Sequence, residues 1–338
     1  MATQRISSLV LAAFALIAAA SKSAPAAEPI KIGIVKTLAV GPIFVAKEKG
    51  FFAAEGLDAE LVYIDAAQPI AVAAASGAID FGITGLSAAF YALAGEGVLR
   101  MIAAGNREMP GFKNAGYVAS NRAANAGLKR IEDLRGHSVG VTQRGAMLDY
   151  DLALALDRFH IDPKTVRVLA LQSNTALTSA IAGGQADAGV LPVTPAMVML
   201  GKGEAKLLGW VGDIAPYGQT NAAFTSAKTA DERRATVEHF LAAYKKGAQL
   251  YHDAFADAKE ERRDGPGATE ILAILAKYTG QDAEQIRAAI PWVDRDLRLD
   301  VADIKHQIEW FRAQGLLKGE ADPVKIVDAR YVVPLPRP

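Results

Sequence analysis

Short apolar runs that end in glycine or a polar turn alternate, as far as residue 225, with segments whose apolar positions recur at helical spacing. That alternation is the pattern of an α/β fold. The spacing predicts strands at 30–35, 60–64, 99–103, 117–119, 138–142, 165–171, 186–191 and 206–210. It predicts helices at 43–49, 69–75, 88–94, 148–159 and 175–182, and a short methionine-rich one reaching residue 200. The segment 75–87, ASGAIDFGITGLS, is the most compressed case: a buried strand runs into a turn that opens directly into a helix. Such a corner leaves backbone N–H groups at the helix start without partners.

The corner occurs twice. Residues 182–189 repeat the pattern A-[SG]-G-x-[IA]-D-[FA]-G of residues 75–82 at an offset of 107. At the same offset Gly33-Ile34-Val35 maps onto Gly140-Val141-Thr142, and Leu61-Val62 onto Val168-Leu169. Two matched α/β halves, mainly parallel, predict two lobes whose strand C-terminal ends face each other across a cleft, where open α/β sheets bind ligands. Residues 27–119 with 222–338 form the expected first lobe and 120–221 the second, joined by two crossings that act as a hinge. Beyond the return crossing at 220–225 the chain turns to amphipathic helices. There Thr229-Ala230-Asp231-Glu232 reads as a capping box, and Val237, Phe240, Leu241, Tyr244, Ala248 and Tyr251 fall on one stripe. Asp300 stands where it can cap a last helix.

Composition narrows the partners. Over 338 residues, 37 Lys and Arg balance 37 Asp and Glu, so no basic excess is available for phosphates and nucleic acid is not an expected partner. There is no cysteine, which excludes disulfides, thiolate metal sites, a cysteine nucleophile and a lipid on an N-terminal cysteine. Arg5, the apolar run 9–20 and Ala24-Pro25-Ala26 read as a signal peptide over 1–26, with cleavage near Ala26 or Ala27 and export of a soluble protein without a lipid anchor.

Gly85-Leu86-Ser87-Ala88-Ala89 occupies the place of a nucleophile elbow, but Ala89 replaces its second glycine. None of the five histidines joins Ser87 in a pattern, so it reads as a helix cap or a ligand donor. No H-x-H, H-E-x-x-H or calcium-type loop is present, and no G-x-G-x-x-G follows the first strand, so neither metal nor cofactor is expected. What remains are helix starts near Pro42, Ser87, Met147 and Pro192, whose free N–H groups with Arg144 would suit a carboxylate or sulfonate. Tyr217, in the turn 216–221 that ends at Asn221, is the better candidate for a flat wall against the ligand's body; Trp210 and Trp292 are the others.

Residues 42–52, PIFVAKEKGFF, followed by 55–62, EGLDAELV, closely resemble the signature of the nitrate/sulfonate/taurine-binding family of solute-binding proteins. Residues 75–85 match its next block, residues 128–141 its entry to the second domain, and Pro291-Trp292-Val293-Asp294 through Gln307, Trp310 and Gly315 its C-terminal part. The resemblance implies the type II periplasmic binding fold, with two lobes that close on a ligand. It implies a periplasmic component of an ABC importer that captures a small organic anion, a sulfonate or an aromatic or aliphatic carboxylate, and hands it to a permease in the inner membrane. It places the site at the loop after the first strand (Thr37, Leu38, Gly41, Pro42), the turn Thr84-Gly85-Leu86-Ser87 and the loop Gly145-Ala146-Met147. Relatives take ligands as different as sulfonates, nitrate and pyrimidines. A binder of a pyrimidine or thiamine precursor, or of another heterocycle, is therefore the alternative. The thiamine-pyrimidine synthases share parts of the signature but use a cysteine-rich iron-binding segment that this chain lacks.

Overall fold

A computed structural model describes residues 26–319 and 321–336. The expected export signal lies outside them except for Ala26.

The strands, in chain order, are β1 (Glu28–Ile34), β2 (Leu57–Tyr63), β3 (Phe81–Gly85), β4 (Leu99–Ala104), β5 (Asn106–Arg107), β6 (Ala115–Ser120), β7 (Ser138–Val141), β8 (Arg167–Ala170), β9 (Ala188–Pro192), β10 (Ala205–Trp210), β11 (Asn221–Ser226) and β12 (Trp292–Val293). They form two five-stranded sheets, β2-β1-β3-β11-β4 and β10-β6-β9-β7-β8, with β5 and β12 paired beside them. β1 runs parallel to β2 and β3, and β7 parallel to β8 and β9. One strand in each sheet is antiparallel to its neighbours: β11 in the first and β6 in the second.

Those two strands explain why the molecule holds together as a pair of lobes. β6 follows β4 in the chain yet sits in the second sheet, and β11 follows β10 yet returns to the first. Each half thus completes the other's sheet. The lobe boundary expected at residue 119 is corrected by this exchange: β6, residues 115–120, lies wholly in the second sheet, so the crossing precedes Ala115. The expected return crossing, by contrast, coincides with β11.

Helices fill the faces. The helix Gly41–Glu48 follows β1 with Pro42 in its first turn, where the missing N–H costs nothing, and Gly50 at φ 70° ends the run. The long helix Arg234–Phe255 buries Val237, Phe240, Tyr244, Ala248 and Tyr251 against it, with Phe240 stacked on Phe81 of β3. The capping box expected at Thr229 does not form. Ser226, leaving β11, already accepts the Thr229 N–H at 3.0 Å and caps a separate helix, Ala227–Glu232; a new helix begins at Arg234. Asp300 does cap its helix, Val301–Ala313, accepting from the N–H groups of Ala302 and Asp303. That helix sends Ile304, Ile308 and Phe311 into the core of the first lobe while Trp310 meets Tyr150 of the second edge to face.

Candidate functional site

The C-terminal ends of the parallel strands in both sheets converge on one cavity of about 90 Å³. Val35 and Thr37 follow β1, Thr84 and Gly85 end β3, Thr142 follows β7 and Pro192 ends β9. Four helices begin at the cavity wall with N-caps that provide no side-chain acceptor: Val40, Ala66, Ala146 and Pro192. Pro192 N-caps a helix whose first N–H, that of Val193, is already given to the Asn114 carbonyl at 2.7 Å. At the starts at Ala67 and Met147 the first N–H has no hydrogen-bond partner, although the next N–H of the former, that of Gln68, is given to Gln143 Oε1 at 3.4 Å; a helix start of this kind favours an anion by about 0.3 to 1 kcal/mol.

The lobes touch around the cavity rim. Leu38 N–H donates to Thr194 Oγ1 at 2.8 Å, Ala88 N–H to the Gly145 carbonyl at 2.7 Å and Gln68 Nε2 to the Arg144 carbonyl at 3.0 Å. Asp65 Oδ2 accepts from both the hydroxyl and the N–H of Thr175, at 2.8 and 3.2 Å. Each bond joins one lobe to the other, so the cleft is closed.

Behind the cavity the two crossings run antiparallel as a hydrogen-bonded ribbon. Gly105 N–H donates to the Asn221 carbonyl, Thr220 N–H to that of Asn106, Glu108 N–H to that of Gly218 and Tyr217 N–H to that of Glu108. The ribbon is polar and buried. Asn106, Arg107, Glu108, Asn114, Gln219 and Asn221 all lie inside it. Arg107 is stacked between the rings of Tyr217 and Trp292 and faces Asp300 at 3.6 Å. Burial pushes the Glu108 carboxyl up to about 7, against a hydrogen bond from Asn114 that lowers it. It also pushes Asp151 well above the usual carboxylate range; Oδ2 of that residue has no partner.

Of the residues singled out from sequence, Thr37, Thr84, Gly85, Ala146, Met147, Pro192 and Asn221 line the cavity. Leu38, Gly41, Pro42 and Leu86 are buried behind it, where Leu38 and Leu86 serve through backbone N–H groups, to Thr194 and to the Thr220 carbonyl. Ser87 is 0% exposed and accepts the Phe90 N–H at 3.2 Å, which makes it a helix cap. Gly145 closes the rim through its carbonyl. The Arg144 side chain is 53% exposed and turned away, its Nε 3.0 Å from Asp149 Oδ2. Tyr217 lies on a separate groove with Tyr150, Asp303 and His306. Trp292 is buried under the C-terminal helices, and Trp210 packs over Gly116.

Sequence reading missed Asn106, Asn114, Thr142, Asn174 and Thr220 in the lining. The duplication held a signal for some of them. Val35 and Thr142, Ala39 and Ala146, Val40 and Met147, Ala67 and Asn174, Gly85 and Pro192, and Asn114 and Asn221 are pairs at the 107-residue offset, and both members of each pair line the cavity. No charged side chain is among the lining residues.

The comparisons with known proteins agree with this architecture. A Brucella abortus (strain 2308) protein described only as a binding protein is 30% identical over 164 residues, covering 47% of this chain and 46% of that protein. The chain thus spans about half the length of the curated relatives it matches. Among solved structures, the alkanesulfonate-binding protein SsuA from Xanthomonas axonopodis pv. citri, bound to MOPS, superposes with a TM-score of 0.69 at 19% identity. That alignment covers 90% of this chain and 98% of the other. The periplasmic nitrate-binding protein NrtA from Synechocystis PCC 6803 gives a TM-score of 0.71 at 15% identity, covering 90% and 87%. These neighbours share the periplasmic binding protein fold. The family model described as NMT1/THI5 like matches residues 38–258, well over half of the 338, and the chain belongs to that family.

Proposed function

We propose that this protein is the periplasmic substrate-binding component of an ABC importer: it captures a small organic solute between its lobes and delivers it to an inner-membrane permease. The observation that carries this reading is the single cavity at which the strand ends and uncapped helix starts of both duplicated halves meet under a closed rim. A solute that touches both halves stabilises the closed arrangement, and a permease can read that arrangement. The helix starts favour a sulfonate or carboxylate head. Arg144, paired with Asp149 outside the cavity, is not needed to hold it. The cavity's asparagines and lack of a charged side chain favour a second reading, a heterocycle such as a pyrimidine precursor. No catalytic step is assigned, because Ser87 is buried and engaged as a cap.

A thermal-shift panel of sulfonates, carboxylates, nitrate and pyrimidines on protein lacking residues 1–26, followed by X-ray scattering with each hit, tests the reading. A hit raises the melting temperature in proportion to the logarithm of solute concentration and gives a scattering profile matching the closed structure. Arg144→Ala leaves the affinity within about twofold. Chemical turnover of a hit, or stabilisation with no lobe closure in solution, would refute capture by the cleft.

A further inference from the structure

We propose that the cavity selects a solute bearing an N–H donor, and that Asn106 receives this donor through a carbonyl oxygen held in position by Asn114 and Glu108. The assignment deepens the cleft-capture reading and rests on it.

An asparagine amide can present either end, so its chemistry is decided by what fixes it. Here the fixing starts at Glu108, whose carboxyl Oε1 accepts from Asn114 Nδ2 at 3.0 Å. With its NH2 turned to the carboxyl, Asn114 directs Oδ1 to Asn106, and the Asn106 NH2 donates to it. The backbone of Asn106 is held as well: its N–H donates to Asn221 Oδ1 at 2.6 Å and its carbonyl accepts from Gln219 Nε2 at 3.2 Å. Asn114 and Asn221, equivalent in the duplication, therefore grip Asn106 from both sides.

One polar atom is left over. Asn106 is 0% exposed and lines the cavity, and its Oδ1 has no hydrogen-bond partner. A buried acceptor without a donor is costly, and a closed cavity wall is where a ligand can supply one. Asn174, at the opposite lobe's helix start, carries a second buried Oδ1 without a partner. The helix starts at Ala67 and Met147 offer N–H groups instead. A fitting solute is thus two-faced: acceptor oxygens, of a sulfonate, carboxylate or carbonyl, for the helix starts, and an N–H group for Asn106. Glu108 does not line the cavity; it is a positioning residue, acting through Asn114.

The test uses probe pairs of equal shape in which NH2 replaces CH3: sulfamate with methanesulfonate, oxamate with pyruvate, and acetamide with acetone. Binding is measured by calorimetry at about pH 8, where the Glu108 carboxyl is ionised and can only accept, on the wild-type chain and on Glu108→Gln, whose amide can offer Asn114 either end. In the pairs that bind, the NH2 member is expected to bind about tenfold tighter, the cost of leaving a buried acceptor unpaired. In Glu108→Gln the ratio falls toward one while closure by the CH3 member is kept, which a purely structural role for Glu108 would not produce. Equal or tighter binding of the CH3 members, or a ratio untouched by Glu108→Gln, would overturn the assignment but leave cleft capture standing. Failure of all six probes and of the wider solute panel to bind would overturn cleft capture, and the assignment with it.

Discussion

Replacing Glu108 by glutamine should stabilise the protein above neutral pH and leave it nearly unchanged in mild acid. Glu108 lies in the hinge ribbon, fully buried, where burial first and then the charge of Asp213 raise its carboxyl from 4.5 to about 7. A raised folded-state value means that the folded chain holds the proton more tightly than the unfolded one. The Glu108 contribution to stability is therefore greatest in acid, declines as pH rises from about 4.5 through about 7, and is flat above. At 1.36 kcal/mol per unit the full penalty is about 3 kcal/mol, of which about 2.5 develops between pH 5 and pH 8. Glutamine keeps the shape and cannot ionise. The difference between variant and wild type should consequently grow by about 2.5 kcal/mol over that range, or about 4 °C in melting temperature for a chain of this length. Asp151 titrates with the same sign, raised by burial and then by the Glu108 charge, but it is present in both proteins and largely cancels in the comparison. Urea or thermal unfolding at pH 5, 6, 7 and 8 measures the difference. Parallel pH profiles for the two proteins would show that Glu108 does not carry a displaced proton, and the account of the ribbon would fail.

Two further perturbations probe close approaches, one inside the first lobe and one across the rim. Gly247→Ala puts a methyl group onto the Pro42 carbonyl oxygen and within 2.9 Å of Ala46 Cβ, between the helices Arg234–Phe255 and Gly41–Glu48; despite the helix propensity of alanine it should cost about 2 kcal/mol in urea unfolding. Asp65→Ala removes both rim bonds from Thr175, worth about 1 kcal/mol together at a wet rim; solute affinity should fall about fivefold and the solute-free radius of gyration should increase, and an unchanged scattering profile would count against the latch.

Most of the fold was legible because its signals are local or repeated. Strand runs, the helix stripe from Val237 to Tyr251 and the cap at Asp300 depend on neighbours a turn or a pleat away, and the structure has them where the pattern put them. The misread capping box shows the limit. Thr229 and Glu232 have the right spacing, but Ser226 emerges from β11 three residues earlier and takes the same N–H first. The strand exchange was half legible: 117–119 and 220–225 both read as crossings, but the first was assigned to the lobe it leaves, whereas β6 belongs to the second sheet.

The site divides the same way, and the dividing line is physical. Wall positions made by the duplicated strand-turn-helix corners obey the 107-residue offset, so that Gly85 predicts Pro192, Ala39 predicts Ala146 and Asn221 predicts Asn114. The offset, carried beyond the corner motif, would have found Thr142 and Asn174 as well. It could not have found Asn106. Its equivalent is Asp213, in the short helix Val211–Ile214 outside the cavity, because one crossing enters the second lobe where the other leaves it and the offset carries only part of the hinge, Asn114 onto Asn221, into the lining. In sequence, residues 106–114 look like a polar surface loop, since their charges and amides are matched by one another and by partners across the ribbon and on the C-terminal helix, among them Gln219, Asn221 and Asp300. Arg144 erred in the opposite direction. An arginine beside a helix start reads as an anion ligand, but Asp149, one turn into the same helix, captures it first. Pseudo-symmetry therefore builds much of a wall suited to many solutes, and the hinge amide proposed to discriminate among them, Asn106, is a lining residue whose offset equivalent lies outside the cavity.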